Sequence, residues 1–194
     1  MIQDFLTSLR LLHDFQKVEL VIFVPGSDRN ENDVEHSYLL AMIAWHVAEM
    51  VAPHLSREKV LKYALVHDLV EVYAGDTYFY DTQSDAFRDK AAREHAAMKR
   101  ILEEKMLSED MCASLVAYEA RMDSEAQFVY ALDKLIPMMT IYLDGGRIWK
   151  THGVTFENLH RLKREKIVGS PEILKLFDEL VVLLEKDKQA LFPE

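Results

Sequence analysis

The 194-residue sequence contains few of the residues that interrupt regular structure, with only 6 glycines and 5 prolines. A β-sandwich or barrel needs more turns than these residues can supply, so their scarcity disfavours an all-β fold. A single cysteine, Cys112, excludes an intramolecular disulfide and a multi-cysteine zinc site. Lone cysteines are typical of reducing compartments, and we therefore expect a cytoplasmic protein.

Positive charge and long apolar runs are also scarce. Lys and Arg number 23 against 33 Asp and Glu, which leaves a net charge of −10. This balance disfavours polymeric nucleic acid and anionic membranes as partners, because both bind basic patches. The apolar run at residues 20–24 is far too short to span a membrane, and the first five residues lack the basic-then-apolar order of a signal peptide. A small phosphorylated substrate remains compatible with the charge, because a bound metal ion can reverse the local potential.

Apolar residues recur at helical spacing along nearly the whole chain. Ser56 predicts the cap of a helix that runs to about Tyr73 and stops at Gly75. A capping box is predicted at residues 124–127, and residues 26–32 are predicted to be a polar loop. Further helices are predicted at residues 37–52, 85–105, from 108 onward and at 170–191. No repeat or linker divides the sequence, so residues 1–194 are predicted to form one all-α domain.

Three ionisable side chains interrupt the apolar run at residues 65–71, namely His67, Asp68 and Glu71. Burying an uncompensated carboxylate costs several kcal/mol, so such groups need a partner. Glu71 follows His67 by four positions and Asp68 by three, which places the three side chains on one side of the predicted helix. Imidazole and carboxylate ligands suit a divalent cation, whereas a His–Asp hydrogen bond that stabilises helix packing is the alternative reading.

Two further apolar segments contain the same kind of anomaly. His36 lies at the start of the most apolar helix, and Asp133 lies in an apolar run four residues before Pro137. Since Pro137 cannot donate to the Asp133 carbonyl, a kink or helix end is predicted there. An ion pair with Lys134 is a poor alternative for Asp133, because adjacent helical residues point about 100° apart. The side chains that together suggest one mononuclear metal site are His36, His67, Asp68 and Asp133.

This order of residues resembles the H…HD…D signature of the HD-domain metal-dependent phosphohydrolases. The flanking sequence is similar to the branch of small HD hydrolases that contains the 5′-deoxynucleotidases. That branch has Arg-x-Glu before Glu-His-Ser, as at residues 29–31 and 35–37, and His-Asp-x-x-Glu before Gly-Asp, as at residues 67–76. Its Leu-Asp-Lys-Leu motif matches residues 132–135. Three elements in the same order make the resemblance specific.

The resemblance implies a helical HD-domain bundle with the four ligands on one divalent metal ion, whether Mn, Co, Mg, Fe, Ni or Zn. It implies that Glu71 lies beside the metal-bound water and that Asp76 lies near the substrate and the water network. The implied activity is that of a metal-dependent phosphomonoesterase, in which metal-activated water attacks a (deoxy)nucleoside 5′-monophosphate. A homodimer is suggested by analogy with the family alone.

The sequence departs from the deoxynucleotidases at one position. Those enzymes carry a substrate-holding arginine well upstream of the first histidine, whereas residues 16–25 contain Lys17 and no arginine. Arg29 is the candidate for part of the phosphate recognition. Two alternatives stay open, a nucleotide pyrophosphohydrolase on the same ligands and a non-catalytic metal- and nucleotide-binding sensor. Dinuclear chemistry is disfavoured because His95 is the only histidine between the HD pair and Asp133.

Overall fold

A computed structural model describes residues 1–76 and 88–193 and confirms the helical fold. The predicted helix start at Asp85 lies outside the described residues. None of the described helices is long and apolar enough to cross a membrane. In chain order the helices are α1 (Ile2–Phe15), α2 (Asp33–Val51), α3 (Arg57–Val66), α4 (Glu71–Ala74), α5 (Lys90–Glu103), α6 (Glu109–Ala120), α7 (Ser124–Leu143), α8 (Arg147–Thr151), α9 (Phe156–Ile167), α10 (Pro171–Lys186) and α11 (Lys188–Leu191).

A small antiparallel sheet precedes α2. Strand β1 (Glu19–Phe23) pairs with β2 (Asn30–Asn32), with Glu19 opposite Asn32 and Phe23 opposite Asn30. The prediction of a loop over residues 26–32 is therefore wrong at its end. The Asn-Glu-Asn composition of β2 is typical of a turn, but pairing with β1 satisfies its backbone groups, which local composition cannot indicate.

Helix α7 lies at the centre of the hydrophobic core and packs against α2, α3, α9 and α10. Full burial of a large apolar side chain contributes about 1.5 to 3 kcal/mol, so this helix anchors the fold. Its largest buried side chains include Phe128, Leu132, Leu135 and Met138. Helix α2 contributes small buried residues that let α3 approach closely, namely Ala41, Ala44 and Ala48. The packing of α2, α3 and α7 therefore brings together the three segments that carry the predicted ligands.

The predicted continuous helix from Ser56 to Tyr73 is wrong in its middle. Helix α3 ends at Val66, residues 67–70 form a tight turn, and α4 follows. In this turn the N–H of Leu69 donates to the Val66 carbonyl at 3.2 Å, and the N–H of Glu71 donates to the Asp68 carbonyl at 2.8 Å. Such i→i−3 bonds wind the chain more tightly than an α-helix does. The ligand-bearing segment is therefore a turn between two helices.

The start of helix α2 and both ends of helix α7 also differ from expectation. The side chain of Asp123 caps α7, so the predicted capping box at Ser124 lies one residue too late. A capping box instead joins Asn32 and Glu35 at the start of α2. Helix α7 continues past Pro137 to Leu143, so a helix end at that proline is wrong. Buried neighbours on both sides of Pro137 hold the helix together despite the missing hydrogen bond.

Candidate metal centre

Four predicted ligands meet in the interior of the protein. His36 comes from the first turn of α2, His67 and Asp68 from the turn after α3, and Asp133 from the middle of α7. One ligand atom from each lies within 4.8 Å of the others. The exposed fractions are 2% for His36, 1% for His67 and 4% for Asp133, so water cannot compensate these polar groups. The cluster could hold one metal ion.

The hydrogen bonding of His67 tests whether a cation fits. Its Nδ1 lies 3.0 Å from the Ala64 carbonyl oxygen, which can only accept, so Nδ1 carries a proton and Nε2 is the ring nitrogen that faces the cluster. This Nε2 is buried without a hydrogen-bond partner, 2.7 Å from Asp68 Oδ2 and 3.7 Å from Asp133 Oδ1. Burial lowers the pKa of His67, but the Asp68 and Asp133 carboxylates hold it well above its usual value, so the cluster favours a positive charge at this position. A divalent metal ion supplies such a charge.

Asp133 is held ionised by its surroundings. Burial raises its pKa, but the Lys134 ammonium, a hydrogen bond from His36 and the charge of the nearby His67 ring hold it well below the usual range. His36 Nε2 lies 3.0 Å from Asp133 Oδ1, and Lys134 Nζ lies 2.5 Å from Asp133 Oδ2. The judgement that Lys134 is a poor partner is therefore wrong. The long lysine side chain can bend back across the angle that separates adjacent helical residues.

A second acidic group adjoins the ligands. Carboxylate oxygens of Asp33, Asp68 and Glu71 lie within 4.8 Å of one another. Burial raises the pKa of Asp33 to about 9, with further contributions from Asp68 and Asp76, and burial likewise raises the pKa of Glu71 well above its usual value. Lys90 Nζ lies 3.4 Å from one Glu71 oxygen, while Glu71 Oε2 is buried without a hydrogen-bond partner. Glu71 can therefore hold a proton beside the cluster.

The sequence analysis missed Asp33. An acid in the first turn of a helix is ordinarily explained by the helix dipole, which hides any other role. Asp33 is fully buried, and neither of its carboxylate oxygens has a hydrogen-bond partner among the described residues. Its position three residues before His36, on the same face of α2, is the signal that could have found it.

A cavity of about 120 Å³, here called the first cavity, lies against the cluster. Asp76 and Glu71 both line it. Arg29 does not line it. The Arg29 guanidinium instead contacts both carboxylate oxygens of Glu35, at 2.7 and 2.9 Å. The full lining of the first cavity is Leu20, Val21, Ile22, His36, Asp68, Glu71, Asp76, Lys90, Asp133, Lys134, Pro137, Met138, Ile141 and Lys163.

Lys163 is a second residue that the sequence analysis missed. It lies on α9, is only 4% exposed, and lines the first cavity. Burial and the nearby Lys134 ammonium together lower its pKa to about 7, while Asp133 opposes the change. Helical spacing could have indicated its burial, because the buried residues Leu159 and Ile167 lie four positions before and after it on the same helical face.

A larger cavity of about 290 Å³, here called the second cavity, also adjoins the cluster, and His67, Asp68 and Asp133 line it. It meets the first cavity at Asp68, Lys90, Asp133 and Lys134, which line both. Basic and aromatic side chains make up much of its remaining wall. These are Arg88, Arg121, Lys166, Tyr118 and Tyr130.

The fold and the site together define a class of protein, a helical bundle whose His₂Asp₂ cluster could hold a metal ion and adjoins two cavities. Comparison with known families identifies the class more closely. An HD-domain family model matches residues 22–174, most of the chain. The protein belongs to the HD-domain family.

Individual relatives agree with this family. The human 5′-deoxynucleotidase HDDC2 is 30% identical over 137 residues, which cover 68% of this chain and 64% of that protein. The zebrafish (Danio rerio) HDDC2 is 33% identical over 107 residues, 54% of this chain and 51% of that one. The matched region thus spans less than two thirds of the length of these relatives. A crystal structure from Magnetospirillum magnetotacticum, described as a predicted metal-dependent phosphohydrolase, superposes with a TM-score of 0.82 at 28% identity, covering 99% of this chain and 96% of that one.

Proposed function

We propose that the protein is a divalent-metal-dependent phosphomonoesterase that hydrolyses a (deoxy)nucleoside 5′-monophosphate. The observation that carries this proposal is the juxtaposition of four clustered candidate ligands, three of them buried, with a protonatable carboxylate, Glu71, at the wall of one cavity. The names of the HDDC2 relatives support the substrate class, since they are described as 5′-deoxynucleotidases. We also propose a cytoplasmic location, on the grounds of the single cysteine.

The first cavity offers two kinds of surface to such a substrate. Apolar side chains from β1 and α7, including Val21 and Met138, suit the uncharged faces of a nucleoside. The ammonium groups of Lys90 and Lys134, together with the amine of Lys163, suit a phosphate dianion. Since Arg29 is engaged by Glu35, these lysines replace it in our proposal as the groups that hold the phosphate.

The four ligands would hold a cation that polarises a phosphoryl oxygen and lowers the pKa of a water molecule. Glu71 Oε2 would accept the proton of the attacking water and pass it to the departing oxygen. Burial raises the pKa of Glu71 well above the usual carboxyl value, so this carboxylate takes up a proton more readily than an exposed glutamate does. Lys90, 3.4 Å from Oε1, orients the carboxylate, and Lys134 keeps Asp133 ionised.

Phosphate release tests the proposal directly. Chelator-treated protein would be supplied in turn with Mn²⁺, Co²⁺ or Mg²⁺ and given a panel of ribo- and deoxyribonucleoside mono-, di- and triphosphates. We expect phosphate from a monophosphate with at least one metal, and no phosphate after chelation. Chromatography of the products identifies a pyrophosphohydrolase by the appearance of pyrophosphate. Binding of metal and nucleotide with no release under any condition would refute the enzymatic proposal and indicate a sensor.

Glu71 is tested separately. Because general acid–base catalysis contributes about 10²- to 10⁴-fold, Glu71→Gln should lower kcat at least a hundredfold while the metal stays bound. Glu165→Gln, on the exposed face of α9, is the matched control and should be indistinguishable from the wild type. Undiminished turnover of Glu71→Gln would exclude the role assigned to Glu71.

A further inference from the structure

The second cavity concentrates positive charge in an acidic protein. Five basic side chains line it, against four carboxylates, two of which belong to the candidate ligands Asp68 and Asp133. A divalent ion on those ligands would leave the wall with a net charge of about three positive. The first cavity has three basic and four acidic side chains, so the same ion would leave it with only about one. An anion would therefore be drawn more strongly to the second cavity.

Two of these basic groups are poorly engaged within the protein. Lys166, on α9, forms no ion pair with any residue that the structure describes. Arg121 lies with its guanidinium carbon 4.2 Å from the centre of the Tyr130 ring, and its contact with Glu119 is long, at 3.9 Å. Both side chains can therefore donate further hydrogen bonds. Stacking on Tyr130 restricts the motion of Arg121 and so lowers the entropic cost of binding a ligand.

The position of the second cavity relates these groups to the metal centre. Lys90 and Lys134 line both cavities, and His67 and Asp68 lie on the second cavity's wall. A phosphate group in this cavity would lie beside the same ligands that face the first cavity. The first cavity has the apolar strand wall that suits a nucleoside, whereas the second cavity's wall is dominated by charged groups and tyrosines.

We propose that the second cavity is a phosphate subsite adjoining the metal centre, with Lys166 and Arg121 as its anion-binding residues. The anion is either the phosphate released from the substrate or a further phosphate group on the substrate itself. This assignment rests on the proposed function for its biological meaning. The binding of a phosphate anion can nevertheless be measured without turnover.

Isothermal titration of inorganic phosphate into the Mn²⁺-loaded protein tests the subsite. A charge-assisted hydrogen bond contributes enough that Lys166→Gln and Arg121→Gln should each weaken phosphate binding about tenfold. Arg161→Gln is the matched control for Lys166→Gln, because Arg161 lies on the same helix, faces solvent and lines neither cavity. Equal affinity in all three variants and the wild type would overturn the proposal.

Two further ligands identify the source of the anion. If the subsite holds the released phosphate, Lys166→Gln should weaken the binding of inorganic phosphate but leave the affinity for a nucleoside monophosphate unchanged. If it holds a second phosphate of the substrate, Lys166→Gln should weaken the binding of a nucleoside diphosphate about tenfold. The affinity for the monophosphate should fall much less. Each of these patterns supports the subsite. A protein that shows them but releases no phosphate from any nucleotide refutes the proposed function and leaves the subsite in place.

Discussion

Replacing Lys163 with methionine should stabilise the protein, and more so at neutral than at alkaline pH. Burial lowers the pKa of Lys163 to about 7 in the folded protein, from 10.5 for an exposed lysine. Between these values the unfolded chain binds more protons than the folded protein does, so the wild type gains stability as pH rises. One pKa unit corresponds to about 1.4 kcal/mol, so the loss of the proton from this amine on folding lowers the free energy of unfolding by about 4 kcal/mol at pH 7 and about 1 kcal/mol at pH 9.5.

Urea denaturation of the chelated proteins at pH 7 and pH 9.5 measures this effect. The difference in free energy of unfolding between Lys163→Met and the wild type should shrink by about 3 kcal/mol over that interval. Lys166→Met, which changes an exposed lysine on the same helix, should show no such change. If the free energies of unfolding of Lys163→Met and the wild type change in parallel with pH, burial does not lower the pKa of Lys163 and the reasoning fails.

Three other perturbations have expected outcomes. Saturation with Mn²⁺ at about 100 times Kd should raise the wild-type Tm by about 5 to 10 °C, and Asp133→Asn should abolish that shift in differential scanning fluorimetry. Gly146→Ala should lower the urea unfolding free energy by about 2 kcal/mol or more, because φ is 75° and the new Cβ would meet the Leu191 backbone. Gly145→Ala, at φ 68° in open space, should cost about 1 kcal/mol, and equal losses would contradict the steric argument. Asn32→Ala removes the cap of α2 and should cost about 1 kcal/mol by the same measurement, whereas an unchanged value would mean that the cap is dispensable.

The positions of the candidate ligands could be predicted because ionisable residues within apolar runs can be recognised from the sequence alone. A charged residue such as Asp133 in a continuous apolar run must be buried, and a buried carboxylate needs a compensating charge. The same reasoning failed for Asp33. Its burial depends on packing against residues distant in the sequence, while its local context offered the helix dipole as a sufficient explanation.

The errors in the fold have a similar origin. Helical periodicity extends through residues 57–73, yet tertiary packing tightens residues 67–70 into a turn. Strand β2 forms because β1 offers it backbone partners, and its own residues have low strand propensity. Sequence patterns thus predict which side chains must be inside. They do not predict the backbone conformation that positions those side chains in the interior.

The contact between His36 and Asp133 also bears on how the chain is held together. These residues are separated by 97 positions, so an ion shared between them would act as a cross-link that closes a very long loop. For a covalent link of that length, the chain-entropy model gives about 4 to 5 kcal/mol of stabilisation. The ligands would therefore fasten the helix after β2 to the central helix α7. Loss of the metal would then lower the stability of the fold as well as abolish the proposed activity.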